Sequence, residues 1–545
     1  MSSTDGKNYK LVARFPVTRT GVSEWCQQGN IKNVTARYYR IATDKPVGVS
    51  EIHLSSLTSI HEYLNKNGLG RKEDEFLKDS QSPAPSMVIK KDDIKDLTGN
   101  LDSKGVLTAS LPEGKWTILR VGTTTTSAKN RPASTEGRGL ECDKFSRAAL
   151  EKHFYSFPKR FIDSVRTVSP NAVDYVEIDS YEMGGQNWTD GMLDIFKERK
   201  GYDLKPFLPL LLGKFVDDNV VSEKVLRDYR DVCSYLMNKN YYDAFGELCR
   251  KEGIKYYLEP YGPGPFDFLK AAGSCDMPMG EFWMEGRPLF IEPAISGAHI
   301  YGKNIVSAES FTSGPAINWK GTPAMTKPTG DWAWKKGFNE FMFHRFVHQP
   351  NTHVRPGMTM SRWGFNFDRT QTWWLGAGKS WFTYIARGSY MLRLGVPVLD
   401  VLVFVGDASP NGTSKGTYFP YKSDAVNSDV LINRTSIKDS KIVLPEGTTY
   451  QCLVLRNTDQ ITMPTLERIC QLAENGVPVC GVLPKELLGY NEEGKDYALF
   501  NELVARIKAC HNYYEDGEFD KMMKEQKIKP DFTVSKCPKG VEMDL

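Results

Sequence analysis

The sequence predicts a (β/α)8-type, TIM-like barrel that is incomplete, with an inserted β-sandwich-like module and a small C-terminal α/β domain. Three observations predict it. Between residues 137 and 396 short apolar runs alternate with longer segments of helical period, the signature of strands laid parallel by helical crossovers. The apolar runs end in acidic residues next to glycines, amides and aromatics. The pattern also recurs, at VEIDSYEMGGQNW (176–188), YYLEPYG (256–262), MGEFW (279–283) and IVSAESFT (305–312). In this fold the strand ends form the rim that carries the working side chains.

Taken in order, residues 1–20 supply an early barrel strand, with YKLVARFPV (9–17) as a buried run closed by a proline. Residues 21–136 read as the β-sandwich-like insertion. DSKG (102–105) and PEGK (112–115) are turns, and residues 106–111 and 116–121 are the strands they join. No aromatic stripe marks a binding face there, so the module is expected to be structural.

Residues 137–396 form the catalytic region. Helices are expected over 145–167 and 222–252, each followed by a strand, at 173–179 and 254–260. Residues 266–272 and 288–300, a strand at 305–309, a long segment over 332–347 and a helix over 371–394 complete it. The strand count stays below eight even when 11–17 is included, so the barrel should be open between that strand and the last one. Residues 397–545 read as the α/β domain. Strands at 398–405, 451–455 and 477–482 surround a helix over 464–474, without a glycine-rich phosphate loop.

Composition excludes several classes of function. The net charge of +3 spreads over 70 basic and 67 acidic residues, so no nucleic acid partner is implied. No run of about 18 apolar residues predicts a membrane span, and the first residues, MSSTDGK, lack a signal peptide's basic and apolar segments. Ten cysteines make no CxxC pair and no zinc spacing. Aromatic residues, 11 Trp, 25 Tyr and 27 Phe, concentrate between 154 and 390, as in sites where flat apolar faces meet sugar rings.

Four glutamates lie just past the expected barrel strands: Glu182, Glu259, Glu281 and Glu309. No GxSxG elbow, HExxH pair or phosphate loop competes with them. Two carboxyls across a cleft, one protonated and one ionised, are what cleavage of a glycosidic bond needs. Burial beside Tyr181 and Trp188 would help an acid at Glu182 keep its proton. The plain alternative is that some of the four only pair with lysine or arginine.

The stretches DSYEMGGQNWT (179–189), MGEFW (279–283) and AESFT (308–312) resemble glycoside hydrolase family 106, the α-L-rhamnosidases of gut and soil bacteria. DLT (96–98), GKWTILR (114–120), GLECDK (139–144), VHQP (347–350), residues 369–374 and YIAR (384–387) extend the resemblance along most of the chain. It implies an inverting hydrolase of terminal α-L-rhamnosyl residues in plant or bacterial glycans, with Glu182 as general acid and Glu309 as general base. Glu281 would be a third carboxylate near the sugar hydroxyls and a ligand for calcium. No other cofactor is implied. Asp179, Tyr181, Asn187, Trp188, Glu259, His348 and Trp373 are expected to line the substrate pocket. For His348 a packed, hydrogen-bonded histidine is the alternative, and for Trp373 a place in a helix core.

The resemblance also implies a fragment. Family members begin with further strands, continue past the equivalent of Leu545 and carry a signal peptide, so the whole protein would be periplasmic or secreted. The alternatives are a barrel glycosidase for another sugar and a catalytically silent carbohydrate-binding fragment.

Overall fold

The computed structural model describes residues 1–14, 34–44, 58–70, 79–131, 133–286, 288–317, 319–347, 378–413, 420–490 and 494–533, with a few isolated positions besides. Six strands form its central sheet: β1 (Tyr175–Ile178), β2 (Lys255–Leu258), β3 (Met277–Trp283), β4 (Ser307–Thr312), β5 (Glu340–Phe343) and the two-residue strand Pro288–Leu289, which pairs antiparallel with β3. β1 to β5 lie side by side, parallel to one another and in sequence order, the first four as their spacing by helices predicts. Among the described residues β1 and β5 are the edges, with no further strand paired outside them. The sheet is a partial barrel.

Each crossover is helical, as parallel pairing requires. The helices preceding the sheet are α1 (Arg147–Ser156) and α2 (Pro158–Val168), where the sequence predicts one helix. Proline has no N–H to donate and clashes with the preceding turn, so Pro158 ends one helix and takes the first position of the next. Between β1 and β2 run α3 (Met192–Lys200) and α4 (Asn219–Met237). A wider π turn over Asn238–Asp243 then joins α4 to α5 (Ala244–Lys251). Asp218 starts α4 by accepting from Val221 N at 2.7 Å, which satisfies one of the orphan donors of a helix start. The remaining crossovers are α6 (Phe268–Ser274), α7 (Ile291–Ile300) and α8 (Pro323–Lys336).

Side chains alternate across a strand with period two, and the sequence places opposite chemistry on the two faces. Val176, Ile178, Tyr256, Leu258, Phe282, Ala308 and Phe341 pack against the helices in two aromatic-rich clusters. The other face carries Tyr175, Tyr257, Glu259, Glu281, Glu309 and Glu340. Glu281 and Glu309 are direct neighbours in the pairing of β3 with β4. The pairing of β1 with β2 ends at Ile178 and Leu258, one residue before Asp179 and Glu259. Carboxylates therefore accumulate on one face at one end of the sheet.

A second parallel sheet follows: β6 (Val401–Phe404), β7 (Ser423–Val426), β8 (Cys452–Leu455), β9 (Val479–Gly481) and β10 (Tyr513–Tyr514), in the order β7-β6-β8-β9-β10. It carries α9 (Met463–Glu474) and α10 (Tyr497–Ala509). Helix α7 joins the two sheets. Asp424 of β7, fully buried, receives His299 Nδ1 at 3.0 Å, Tyr450 Oη at 2.9 Å and Ser296 Oγ at 3.2 Å.

Two expectations from the sequence are not met. Residues 11–14 are not a strand and Leu11 is 58 % exposed; residues 15–17 lie outside the described residues. Asp5 gathers the backbone of Lys7 and Asn8, turning the chain so that Lys10 pairs back with Ser2 instead of entering the sheet. The expected sandwich is likewise absent among the described residues. Residues 106–111 and 116–121 are extended but unpaired apart from a bridge between Leu101 and Leu107. Val106 and Ile118 are 56 % and 64 % exposed: no second layer covers their apolar positions, which is what a sandwich requires. No described helix is long and apolar enough to cross a membrane.

Candidate active site

The carboxylates at the C-terminal ends of β1 to β4 form one group. An oxygen from each of Asp179, Glu259 and Glu309 lies within 4.8 Å of the others. Glu281 feels the charges of Asp179 and Glu182, and Glu309 feels those of Glu281 and Asp179. Asp179, Glu259 and Glu309 thus meet in one place, with Glu281 and Glu182 near enough for their charges to be felt.

Glu259 is the deepest, 1 % exposed. Its Oε2 accepts from the backbone N of Ser180 at 2.9 Å, and its Oε1 is buried with no hydrogen-bond partner. Burial, reinforced by the charges of Asp179 and Glu309, pushes its carboxyl well above the usual range. Glu309 is pushed up to about 8, by burial first, with the charges of Glu281 and Asp179 adding to it against the hydrogen bond from Thr312. Burial thus works against the ionised form that a base must have. Glu281 is also raised by burial, although the Trp283 indole and, at 3.5 Å, the Tyr261 hydroxyl donate to it.

Three carboxylates this close stay together only if protons or a cation offset their repulsion. Calcium takes several oxygen ligands in flexible geometry, and the orphaned Oε1 of Glu259 is a buried acceptor of the kind such an ion satisfies. The residues that fit an ion are therefore Asp179, Glu259 and Glu309. Glu281, the ligand expected from the sequence, is instead engaged by Trp283 and Tyr261.

The remaining expected pocket residues behave differently. Tyr181 is buried, with its ring edge-on to Phe266 at 5.9 Å, and its backbone N donates to Tyr261 O at 2.9 Å. That contact needs a glycine opposite. Gly262 sits at φ +122°, and a Cβ there would meet Tyr181 O at 2.1 Å. Asn187 turns its amide to Asn67 O at 2.9 Å, and the Tyr229 hydroxyl donates to its carbonyl. Trp188 packs against the main core, whereas Glu182 is exposed, so Trp188 does not bury it as expected. The contacts of these three side chains hold the loop in place. His348 and Trp373 lie outside the described residues.

Sequence reasoning passed over four contributors: Tyr261, Trp283, Thr312 and His344. Tyr261 stacks on Phe290 with ring centres 4.5 Å apart, beside Glu281. Thr312 donates to Glu309 and lies 3.1 Å from His344 Nδ1, which is itself 3.4 Å from Glu309 Oε1. Burial, then the charge of Arg345, lowers His344 to about 4. Three of the four sit inside the strand-end stretches already singled out; His344 was hidden because residues 332–347 read as one segment, not as α8 followed by β5.

The chain is similar to known proteins in sequence and in fold. A family model described as alpha-L-rhamnosidase, Glyco_hydro_106, matches residues 7–544. A solved rhamnosidase from Novosphingobium sp. PP1Y superposes with a TM-score of 0.77 at 26 % identity, over 90 % of this chain and 49 % of that one. A protein of Formosa agariphila, provisionally named a beta-glucuronidase, is 39 % identical over 422 residues, 76 % of this chain and 36 % of its own length. The chain thus spans about half of the one and about a third of the other.

Proposed function

The chain belongs to the α-L-rhamnosidase family of glycoside hydrolases, and from that premise we propose that it removes terminal α-L-rhamnosyl residues from plant or bacterial glycans with inversion. The observation that carries this reading is the meeting of Asp179, Glu259 and Glu309 at one end of one sheet, with Glu281 and Glu182 near enough for their charges to be felt. Glu309 takes a proton from a water that attacks the anomeric carbon, and Glu182 gives one to the departing oxygen. That division of labour needs the two carboxyls roughly 6.5–9.5 Å apart, with room for the water. Asp179 and Glu259 are the residues that would hold a calcium ion, whose positive charge offsets their repulsion with the neighbouring Glu309. Glu281 receives a sugar hydroxyl, and the Tyr261–Phe290 stack offers an apolar face beside it.

One observation favours a second assignment of the acid. Glu182 is exposed, whereas burial raises Glu281, and a general acid works best when it keeps its proton near neutral pH. On that assignment Glu281 protonates the leaving group and Glu182 binds a hydroxyl.

The β-glucuronidase name of the relative is the competing substrate reading. A glucuronide would bring a further carboxylate among five, which costs energy at short range; a neutral deoxy-sugar does not. The whole protein is expected to meet its rhamnose-containing oligosaccharide or polysaccharide in the periplasm or outside the cell. The test is release of p-nitrophenol from its α-L-rhamnoside against release from its β-D-glucuronide. Turnover of the first alone supports the proposal, turnover of the second alone reassigns the substrate, and thermal stabilisation by L-rhamnose without turnover makes the chain a binder.

A further inference from the structure

The hydroxyl of Thr312 stands between Glu309 and His344, and it has only one proton. With Glu309 ionised, as a base must be before it takes a proton, the hydroxyl donates that proton to Glu309 Oε1. Its contact with His344 Nδ1 at 3.1 Å must then run the other way, with the ring nitrogen donating to the hydroxyl oxygen. The same Nδ1 lies 3.4 Å from Glu309 Oε1, so one N–H reaches both the hydroxyl and the carboxylate. This fixes the ring as the tautomer protonated at Nδ1, with Nε2 left as an acceptor.

We propose that His344 is a positioning residue for the general base: through Thr312 it fixes the orientation of the Glu309 carboxylate and keeps Oε1 occupied, so that the other oxygen faces the attacking water. The proposal rests on the base assignment given above. No covalent step is involved. His344 contributes a fixed donor and the proton of the water goes to Glu309.

The local fold is built for this contact. His344 follows β5 directly, and its backbone N donates to Ser310 O at 2.9 Å, which ties the turn after β5 to β4. Thr312 reaches the carboxylate face only because an extra residue, Phe311, is inserted there. The pairing with β3 jumps from Phe282↔Ser310 to Trp283↔Thr312, a bulge that re-aims the next side chain.

The experiment is a set of variants of the full chain assayed with p-nitrophenyl α-L-rhamnoside. Thr312→Val and His344→Gln should each lower kcat roughly 10- to 100-fold with little change in KM, the size expected for losing one hydrogen bond to a charged group. The double variant should be no worse than either alone, because both cut the same chain. Thr312→Ser, and His344→Asn, whose amide can donate from near the Nδ1 position, should recover most of the rate. A second readout does not depend on turnover. In protein carrying ¹⁵N-labelled histidine, the resonance lost in His344→Asn should report an Nδ1-protonated ring at neutral pH. An active wild-type chain whose variants keep their kcat, or whose losses simply add, overturns this inference alone; so does an Nε2-protonated ring. A wild-type chain inactive on every glycoside overturns the base assignment and the inference together.

Discussion

Thr312 donates its hydroxyl to Glu309 although three residues separate them along one strand. In a regular strand that spacing points two side chains to opposite faces. The bulge at Phe311, held at φ +64°, removes the mismatch. A non-glycine residue in this left-handed region carries strain of roughly 1–2 kcal/mol, so the surroundings must over-determine it. They do: the Phe311 ring is fully buried, 5.1 Å from Phe282, 5.5 Å from Phe341 and 6.2 Å from Trp381.

Phe311→Ala therefore tests the support beneath the base. Removing a buried aromatic ring costs about 3–5 kcal/mol, and the bulge loses what holds it. Urea unfolding should show a fall of that order, with a loss of kcat in the fraction still folded. A stability change below about 1 kcal/mol would mean the bulge stands without the ring.

The carboxylate group predicts how stability depends on pH when cations are removed by a chelator. Glu309 goes from an ordinary 4.5 to about 8 on folding, and Glu259 is also raised. The folded chain then holds protons that the unfolded chain has released. Stability should be greatest below about pH 4.5 as far as these groups are concerned, and should decline as pH rises to about 8. Melting temperatures at pH 5 and pH 8 measure it, and Glu259→Gln should flatten the decline. Calcium should raise the melting temperature more at pH 8 than at pH 5. A calcium effect equal at both pH values would place the ion elsewhere.

Gly262 predicts a backbone effect close to the site. An alanine Cβ there meets Tyr181 O at 2.1 Å in a conformation that favours glycine. Gly262→Ala should cost about 1–3 kcal/mol and displace the segment bearing Glu182, with the effect falling on kcat. Unchanged stability and rate would show that the Tyr181 segment is not tied to this turn.

Asp424 links the second sheet to α7. Asp424→Ala leaves His299 and Tyr450 without their shared acceptor. Leaving buried donors without their acceptor costs about 1–3 kcal/mol each, which denaturant unfolding should register as a loss of a few kcal/mol. A loss below about 1 kcal/mol would mean that the pair holds little between helix and sheet.

The legibility of the sequence follows the physics of each element. β1 to β4 alternate chemistry with period two or follow helices of clear period, so their order and the acidic ends Glu259, Glu281 and Glu309 could be read directly, whereas β5 was merged with the helix before it. The sandwich was not legible, because turn-forming DSKG and PEGK stretches mark places where a chain can reverse and say nothing about whether strands pair. Tyr181, Asn187 and Trp188 carry the residue types of a sugar pocket, yet their tertiary contacts draw them inward. The Thr312–His344 contact could not be foreseen, since a bulge changes the face of a side chain without leaving a period to detect.

The most direct test of the central claim compares Glu309→Gln with Glu182→Gln on glycosides of good and poor leaving groups. A base that activates water is needed whatever departs, whereas an acid matters least when the departing oxygen is already a weak base. Glu309→Gln should lower turnover of p-nitrophenyl α-L-rhamnoside and of a rhamnosyl disaccharide alike, by about 10²–10⁴-fold. Glu182→Gln should spare the first far more than the second; if Glu281→Gln does so instead, the acid is Glu281. Near-normal turnover in Glu309→Gln would contradict the assignment of the base, and with it the mechanism proposed for this site.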